Sequence, residues 1–231
     1  GLDYPLDKLL HKVSEYEIAH VLVDIANGNL DSLYEYLIKL QDLRFDEGVF
    51  IWAGNVTNEL AYSRIASLCD YIRVGIGNGG GCLTTEQTVV GYPMGSLVKE
   101  CYHTVKNIKG KRAKIVADGG MKKYADIIKA LAIGADYVMV GSIFNKALES
   151  CGTNYKDGIF GRREITQKQA IKRFDSGKVV YKQFRGMSTK EVQAKWGNKI
   201  LKTSEGVVRY RPVEYSLSKW VNNFEHYLSS A

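Results

Sequence analysis

The chain has 231 residues, of which 45% are hydrophobic and 25% charged. This composition is close to the globular average and excludes a disordered or fibrous protein. The formal net charge of +7 favours anionic partners, such as nucleic acid, phosphorylated metabolites or acidic lipid, without choosing among them. Since no apolar run approaches the roughly 18 residues that span a bilayer, and no signal peptide is visible, we expect a cytoplasmic protein without a membrane partner.

Five short apolar runs are predicted to be strands. They are mostly β-branched or aromatic and nearly continuous, which is typical of strands covered on both faces in a parallel sheet. The runs cover residues 20–23, 49–52, 71–74, 114–117 and 137–140.

Amphipathic stretches between these runs predict helices. Leucines recur at intervals of three and four within residues 29–44, and a second helix is predicted over 127–132 and ends at Gly134. A last helix, 217–228, carries Trp220, Val221, Phe224 and Leu228 on one face. The alternation of strand and helix predicts βαβ units and an α/β fold.

Small and polar residues follow each predicted strand, at 24–28, 53–55, 75–82, 118–120 and 141–142. Ligands of parallel α/β folds bind at the carboxyl ends of the strands. One such residue is usually a helix cap, but five aligned strand ends predict a shared binding site.

Residues 149–215 are rich in Lys, Arg, Gly and Gln and have weak periodicity. A segment of that length without clear elements predicts a mobile basic flap. Its interleaved aromatic residues leave nucleic-acid binding, or an inactive fragment, as a lesser alternative. Because solvated charge runs are common, we do not expect a nucleic-acid partner.

The four cysteines, Cys69, Cys82, Cys101 and Cys151, are widely scattered and form no C-x-x-C pair. This spacing argues against structural zinc and a disulfide framework. Cys82 differs from the others because it ends the glycine-rich loop 75–81. A thiolate exposed by such a loop can be stabilised by backbone amides and act as a nucleophile.

The loop resembles the catalytic loop of the IMP dehydrogenase and GMP reductase family. The resemblance begins with Gly77-x-Gly-x-x-Cys82-x-Thr84 and Gly91-Tyr92-Pro93. Further family motifs follow in the expected order along the chain: Asp24-x-Ala26-Asn27-Gly28, Ala53-Gly54-Asn55-Val56, Ala117-Asp118-Gly119-Gly120, Val140-Gly141-Ser142 and Arg185-Gly186-Met187-Ser188.

This resemblance implies an α/β fold, the (β/α)8 TIM barrel, of which the chain carries the last five strands. Residues 1–231 would then form a single, incomplete barrel domain with the mobile flap at about 149–215. The family also implies a cytoplasmic homotetramer and a monovalent cation, K⁺, bound by the backbone carbonyls of Gly77 and Gly79.

The resemblance further implies the role of each site residue. Cys82 is the nucleophile that attacks C2 of a purine nucleotide, and Thr84 and Glu205 are its catalytic partners. The residues implied to bind the GMP or IMP nucleotide are Gly80, Gly81, Asp118, Gly119, Gly120, Gly141, Ser142, Arg185, Gly186 and Met187. Those implied for the cofactor are Asp24, Ala26, Asn27 and Asn55. The family usually has Ser where this chain has Gly80, so either a backbone amide contacts the phosphate there or phosphate binds more weakly.

Two activities occur in the family, and the sequence favours the reductase. GMP reductase uses NADPH to convert GMP to IMP with loss of ammonia, whereas IMP dehydrogenase oxidises IMP with NAD and hydrolyses the adduct with an Arg-Tyr pair. Residues 193–197 have no Arg-Tyr pair, and Arg209-Tyr210 follows Glu205-Gly206 instead of preceding it. We therefore predict GMP reductase, with IMP dehydrogenase as the alternative.

Overall fold

The computed structural model describes residues 2–42, 48–80, 82–110, 112–185 and 208–231. The helices are α1 (Leu6–Val13), α2 (Asp31–Asp42), α3 (Glu59–Ile65), α4 (Thr84–Thr88), α5 (Met94–Asn107), α6 (Tyr124–Ala132), α7 (Gln167–Asp175) and α8 (Leu217–Ser229). The strands are β1 (Ala19–Asp24), β2 (Val49–Val56), β3 (Tyr71–Val74), β4 (Lys114–Asp118), β5 (Tyr137–Met139), β6 (Asn154–Gly158), β7 (Gly161–Ile165), β8 (Tyr181–Arg185) and β9 (Val208–Pro212).

These elements belong to two compact units. The first contains residues 1–78, 90–118 and 129–139, and the second contains residues 79–89, 119–128 and 140–231. The first unit holds a five-stranded sheet in the order β1-β2-β3-β4-β5, in which every neighbouring pair is parallel. The predicted α/β fold and its five strands are confirmed, and the sequential parallel order fits part of a (β/α)8 barrel. The assignment of residues 1–231 to one domain stays a prediction.

One face of the parallel sheet is an apolar packing surface. Paired residues of neighbouring strands share a face, and the register places Val23, Ala53, Ile72 and Ile115 in one row. These four side chains are buried, and β2, β3 and β4 contact α3 or α5. Burial of this row contributes to the hydrophobic stabilisation of the first unit.

The opposite face of the sheet carries a layer of aromatic side chains. Trp52 stacks on Tyr71 with ring centroids 4.0 Å apart, and His20 stacks on Phe50 at 5.0 Å. The indole Nε1 of Trp52 also donates a hydrogen bond of 2.9 Å to Nδ1 of His20. We predicted strands covered on both faces, but the second face of β1, which lies at the edge of the sheet, is exposed at His20, Leu22 and Asp24.

The predicted helices are present with small differences. On α2, Leu33, Leu37 and Leu40 are buried, whereas Leu30 precedes the helix and is exposed. Gly134 follows α6 with φ of +117°, and a Cβ there would collide with the ring of Tyr102. Both the backbone conformation and the close approach therefore require glycine.

The last predicted helix, α8, buries only part of its apolar face. Trp220 is buried and contacts Phe144, and Phe224 stacks on Tyr124 at 5.8 Å. Val221 and Leu228 are exposed. Of the described helices, none has the length and apolar character needed to cross a membrane.

The segment 149–215, in which the sequence shows no clear elements, contains a four-stranded antiparallel sheet in the order β7-β6-β8-β9, together with α7. Its small core contains Leu148, Ile165, Ala170, Val180 and Val213. These apolar residues are too far apart in the sequence to give a helical or alternating pattern, because most strand positions are polar. β7, for example, is exposed at every position except Ile165.

A buried tyrosine joins α3 to the residue that precedes β4. Tyr62 is fully buried and its hydroxyl donates a hydrogen bond of 2.5 Å to the carbonyl oxygen of Ala113. Burial is the largest cause that raises the pKa of Tyr62 well above its usual value. The hydroxyl therefore stays protonated and able to donate across the ordinary pH range.

We expect Tyr62→Phe to destabilise the protein by about 1–2 kcal/mol, because the buried carbonyl of Ala113 loses its donor. Urea unfolding monitored by circular dichroism measures this change. Tyr92→Phe is the matched control, since the Tyr92 hydroxyl donates to Glu100 at an exposed position. An equal loss of stability in both variants would contradict the account.

Candidate active site

Four polar side chains meet at the carboxyl ends of β1 to β4: Asp24, Asn55, Arg73 and Asp118. The register pairs Asp24 with Gly54, and Gly54 with Arg73, so these positions are neighbours across the sheet. The register shifts between Gly54 and Val56, which makes Asn55 an extra residue in β2. A bulge of this kind redirects a side chain, and here the amide of Asn55 contacts Asp118.

Arg73 is the centre of this cluster. Its Nη1 donates to Oδ1 of Asp24 at 2.7 Å, while its Nη2 and Nε donate to Oδ2 of Asp118 at 2.7 and 3.1 Å. The Nδ2 of Asn55 donates to the same Oδ2 at 2.7 Å, and to the carbonyl oxygen of Gly75 at 2.7 Å. Both N–H groups of the Asn55 amide are thus used inside the protein.

The charges of the cluster determine which ligands suit it. Two carboxylates and one guanidinium leave one net negative charge, so a phosphate group is disfavoured at this place. Neutral donors such as hydroxyl or amide N–H groups are the chemistry that exposed carboxylate oxygens accept. The cluster is therefore suited to sugar hydroxyls or a carboxamide.

Sequence reasoning placed Asp24, Asn55 and Asp118 in the site but missed Arg73. A signal was available, because Arg73 lies between Ile72 and Val74 in an otherwise apolar run, and both neighbours are fully buried. An arginine in such a strand has to find acceptors. The two predicted aspartates, at the ends of β1 and β4, were the acceptors in reach.

The predicted cofactor residues at the end of β1 and just after it are accessible to solvent. Asp24, Ala26 and Asn27 are exposed, and Oδ1 of Asn27 accepts the backbone N–H of Asn29 at 3.0 Å. Gly28 is buried, and a Cβ at this position would lie 2.6 Å from the carbonyl oxygen of Asn55. Glycine is thus required here by close backbone approach.

The second unit carries the cysteine loop. The backbone N–H of Cys82 donates to the carbonyl oxygen of Gly79 at 3.0 Å, which closes a turn. The Sγ of Cys82 donates to Oγ1 of Thr84 at 3.2 Å, and Cys82 is half-buried. The loop thus holds a reachable thiol beside a hydroxyl that can exchange a proton with it.

The same unit brings two predicted nucleotide-binding residues together, since a Cβ on Gly80 would lie 3.3 Å from Cβ of Ser142 and 3.6 Å from its Oγ. A Cβ on Gly141, by contrast, would meet no described atom within 4 Å. Packing in the described structure therefore does not require glycine at position 141, and the open space suits a ligand that approaches the backbone. Gly119 and Gly120 have φ of +83° and +85°, a conformation that glycine adopts readily.

Several of the predicted site residues are not part of the strand-end cluster or the cysteine loop. Gly81, Gly186, Met187 and Glu205 lie outside the described residues, and Arg185 lies at the end of β8 in the antiparallel sheet. In the part of the chain that the structure describes, no three His, Cys, Asp or Glu side chains cluster as metal ligands. The cation at Gly77 and Gly79 stays a prediction.

The first unit thus has acidic and amide groups at the ends of parallel strands, where α/β proteins bind ligands. The second has a reachable cysteine in a glycine-rich turn, the kind of residue that acts as a nucleophile in enzymes. Residues 6–231 match the family model described as the IMP dehydrogenase / GMP reductase domain, and the chain belongs to this family. The resemblance found in the sequence is confirmed.

Named relatives are similar over much of the chain. GMP reductase 2 of Bos taurus is 33% identical over 210 residues, which are 90% of this chain and 51% of the relative. GMP reductase of Buchnera aphidicola is 32% identical over 211 residues, 90% of this chain and 53% of the relative. GMP reductase 1 of Homo sapiens is 39% identical over 137 residues, 59% of this chain and 38% of the relative. The chain thus spans about half the length of the first two relatives.

The structure predicts unequal reactivity of the four cysteines. Cys69 and Cys101 are fully buried, whereas Cys82 is half-buried and Cys151 exposed. Burial is also the largest cause that raises the pKa of Cys101 to about 12. We expect iodoacetamide at pH 8 to modify Cys82 and Cys151 in the native protein, and all four cysteines only after unfolding.

Peptide mass spectrometry of the labelled protein measures this pattern. Cys151, which is exposed and outside the candidate site, is the internal reference for an accessible thiol. Modification of Cys101 as fast as Cys151 in the native protein would contradict the described packing.

Proposed function

We propose that this chain carries GMP reductase activity, the NADPH-dependent reductive deamination of GMP to IMP. The observation that carries the proposal is the Sγ to Oγ1 contact of 3.2 Å between Cys82 and Thr84, in a loop that matches the family's catalytic motif. Family membership and the names of the relatives support the same activity. The balanced reaction is GMP + NADPH + 2 H⁺ → IMP + NADP⁺ + NH₄⁺.

Cys82 has the central covalent role. Its thiolate adds to C2 of the purine, and the exocyclic amine leaves as ammonia while the bond from sulfur to C2 remains. NADPH, when bound, supplies the hydride that C2 gains. The carbon–sulfur bond then breaks, and its electron pair returns to Sγ, which regenerates the thiolate.

Departure of ammonia requires a proton, and we propose that Thr84 moves it. Its Oγ1 lies 3.2 Å from Sγ of Cys82, within reach of the reacting carbon's substituents once sulfur is bonded to it. The family resemblance adds Glu205 as the group that pairs with Thr84. Glu205 lies outside the described residues, so its role rests on the motif alone.

The nucleotide is proposed to use two kinds of contact. The carboxylate of Asp118 accepts hydrogen bonds from the ribose hydroxyls, which fits the net negative charge of its cluster. The phosphate is proposed to meet backbone amides of Gly119, Gly120, Gly141, Ser142 and the loop residues Gly80 and Gly81. A Cβ on Gly141 would meet no described atom within 4 Å, which leaves room for a ligand there. Arg185, Gly186 and Met187 are proposed to contact the nucleotide from within the flap.

The end of β1 fits the nicotinamide part of the cofactor. A carboxamide presents N–H donors, and the carboxylate of Asp24 is 61% exposed while one of its oxygens accepts from Arg73. Ala26 and Asn27 are exposed beside it, and no donor among the described residues contacts Oδ1 of Asn55, which we propose accepts from the cofactor. These residues would orient the cofactor.

The family resemblance supplies the remaining parts of the proposal: a cytoplasmic homotetramer, the single barrel domain with a mobile flap, and K⁺ held by carbonyls of Gly77 and Gly79. The features that separate reductase from dehydrogenase, residues 193–197 and Glu205-Gly206, lie outside the described residues. We favour the reductase because the relatives compared above all have that name.

The test is the decrease of NADPH absorbance when GMP is added to the purified chain, with IMP identified by chromatography. We expect Cys82→Ala to reduce turnover by about 10³-fold or more, because the covalent route is lost. Cys151→Ala is the matched control, since Cys151 is an exposed thiol outside the candidate site, and we expect it to keep wild-type turnover.

Two results would overturn the proposal. Production of NADH from IMP and NAD, without any oxidation of NADPH by GMP, would assign the dehydrogenase activity instead. Full GMP-dependent turnover in Cys82→Ala would remove the covalent step.

A further inference from the structure

Arg73 occupies a position that is costly for an arginine. It lies on β3 between two fully buried residues, and its side chain is only 13% exposed. A guanidinium that is this far from water has to be compensated by acceptors for its N–H groups. The carboxylates of Asp24 and Asp118 accept these N–H groups, and both residues have a role in the proposed function.

Arg73 contacts Asp118 through only one oxygen of the carboxylate, Oδ2. An arginine and a carboxylate usually form two parallel hydrogen bonds, one to each oxygen. Here Nε and Nη2 of Arg73 both donate to Oδ2, at 3.1 and 2.7 Å, and Nδ2 of Asn55 donates to Oδ2 as well. Among the described residues, no donor contacts Oδ1 of Asp118.

We propose that Arg73 is a positioning residue that holds Asp118 by Oδ2 so that Oδ1 is presented to the ribose hydroxyls of the nucleotide. This inference rests on the proposed function, in which Asp118 binds the ribose. Three donors on Oδ2 fix the rotation of the carboxylate, and Oδ1, which no described donor contacts, keeps its acceptor capacity for the ligand.

Arg73 also sets the charge of the subsite. Without the guanidinium, Asp24 and Asp118 would leave two negative charges at the ends of β1 and β4, with Asn55 as the remaining described donor to Asp118. Repulsion would then turn the Asp118 side chain or favour its protonation. In either case the hydrogen bonds to the ribose hydroxyls weaken, while contacts to base and phosphate are unaffected.

The test compares kcat/KM for GMP with kcat/KM for 2′,3′-dideoxy-GMP, which lacks the hydroxyls. A hydrogen bond from a hydroxyl to a carboxylate predicts a wild-type preference for GMP of about tenfold to a hundredfold. We expect Arg73→Met to reduce this preference to about threefold or less, mainly through kcat/KM for GMP. Arg73→Lys retains the positive charge but lacks the planar guanidinium with its several N–H donors. We expect this variant to have an intermediate preference.

Two further variants separate positioning from a general effect on folding. Arg64→Met removes an arginine that pairs with Asp31 on the exposed surface, at 2.6 Å, and is expected to keep the wild-type preference. In an Asp118→Asn background, Arg73→Met is expected to have no further effect on the preference. A purely structural role for Arg73 would lower turnover of both nucleotides equally and leave their ratio unchanged.

The outcomes test the ribose role of Asp118 and the positioning role of Arg73 separately. If the wild-type protein turns over GMP but has no preference over the dideoxy nucleotide, the ribose role of Asp118 is wrong and the inference falls with it. If the wild type has the preference and both Arg73→Met and Arg73→Lys retain it, Arg73 is not a positioning residue. If Arg73→Met does not fold, Arg73→Lys alone decides, because an unchanged ratio in that variant overturns the proposal.

Discussion

The parallel register of β1 to β4 is the constraint from which the chemistry of the first unit follows. Because these strands run in the same direction, their carboxyl ends meet at one edge of the sheet. The register then places Asp24, Gly54 and Arg73 side by side. Asp118, the last residue of β4, reaches the same cluster through Arg73. Two residues before Arg73, Tyr71 lies on the same face and stacks on Trp52, so an aromatic layer lies beneath the polar one.

The two units carry different chemical groups. The first has carboxylate oxygens around one guanidinium, an arrangement that favours neutral donors. The second has glycine backbone and a thiol: Cys82 contacts Thr84, Gly80 lies beside Ser142, and a Cβ on Gly141 would meet no described atom within 4 Å.

The sequence predicted those elements whose signal is local. The five strands are short continuous apolar runs, and Leu33 and Leu37 of α2 recur at the helical interval. The glycine loop identified Cys82 because few structural reasons place a cysteine beside so many glycines. Local signals were also sufficient for Gly134, whose positive φ ends α6.

Features that depend on pairing between distant residues could not be predicted in the same way. The bulge at Asn55 exists only in the register of β2 against β3, and the one-sided contact of Arg73 with Asp118 joins residues 45 positions apart. The strands β6 to β9 bury few side chains, so their sequences have no alternating pattern. The exposure of one face of β1 depends on what packs over that strand in the folded chain, which composition does not reveal.

The central claim is that Cys82 and its surroundings support hydride delivery to C2 of a purine nucleotide. The most direct measurement is mass spectrometry of the IMP formed from GMP with NADPH that is deuterated at both C4 positions. The account predicts IMP carrying deuterium at C2 in the wild-type protein, and loss of this product in Cys82→Ala. Formation of IMP without deuterium, or of deuterated IMP at the wild-type rate in Cys82→Ala, would contradict it.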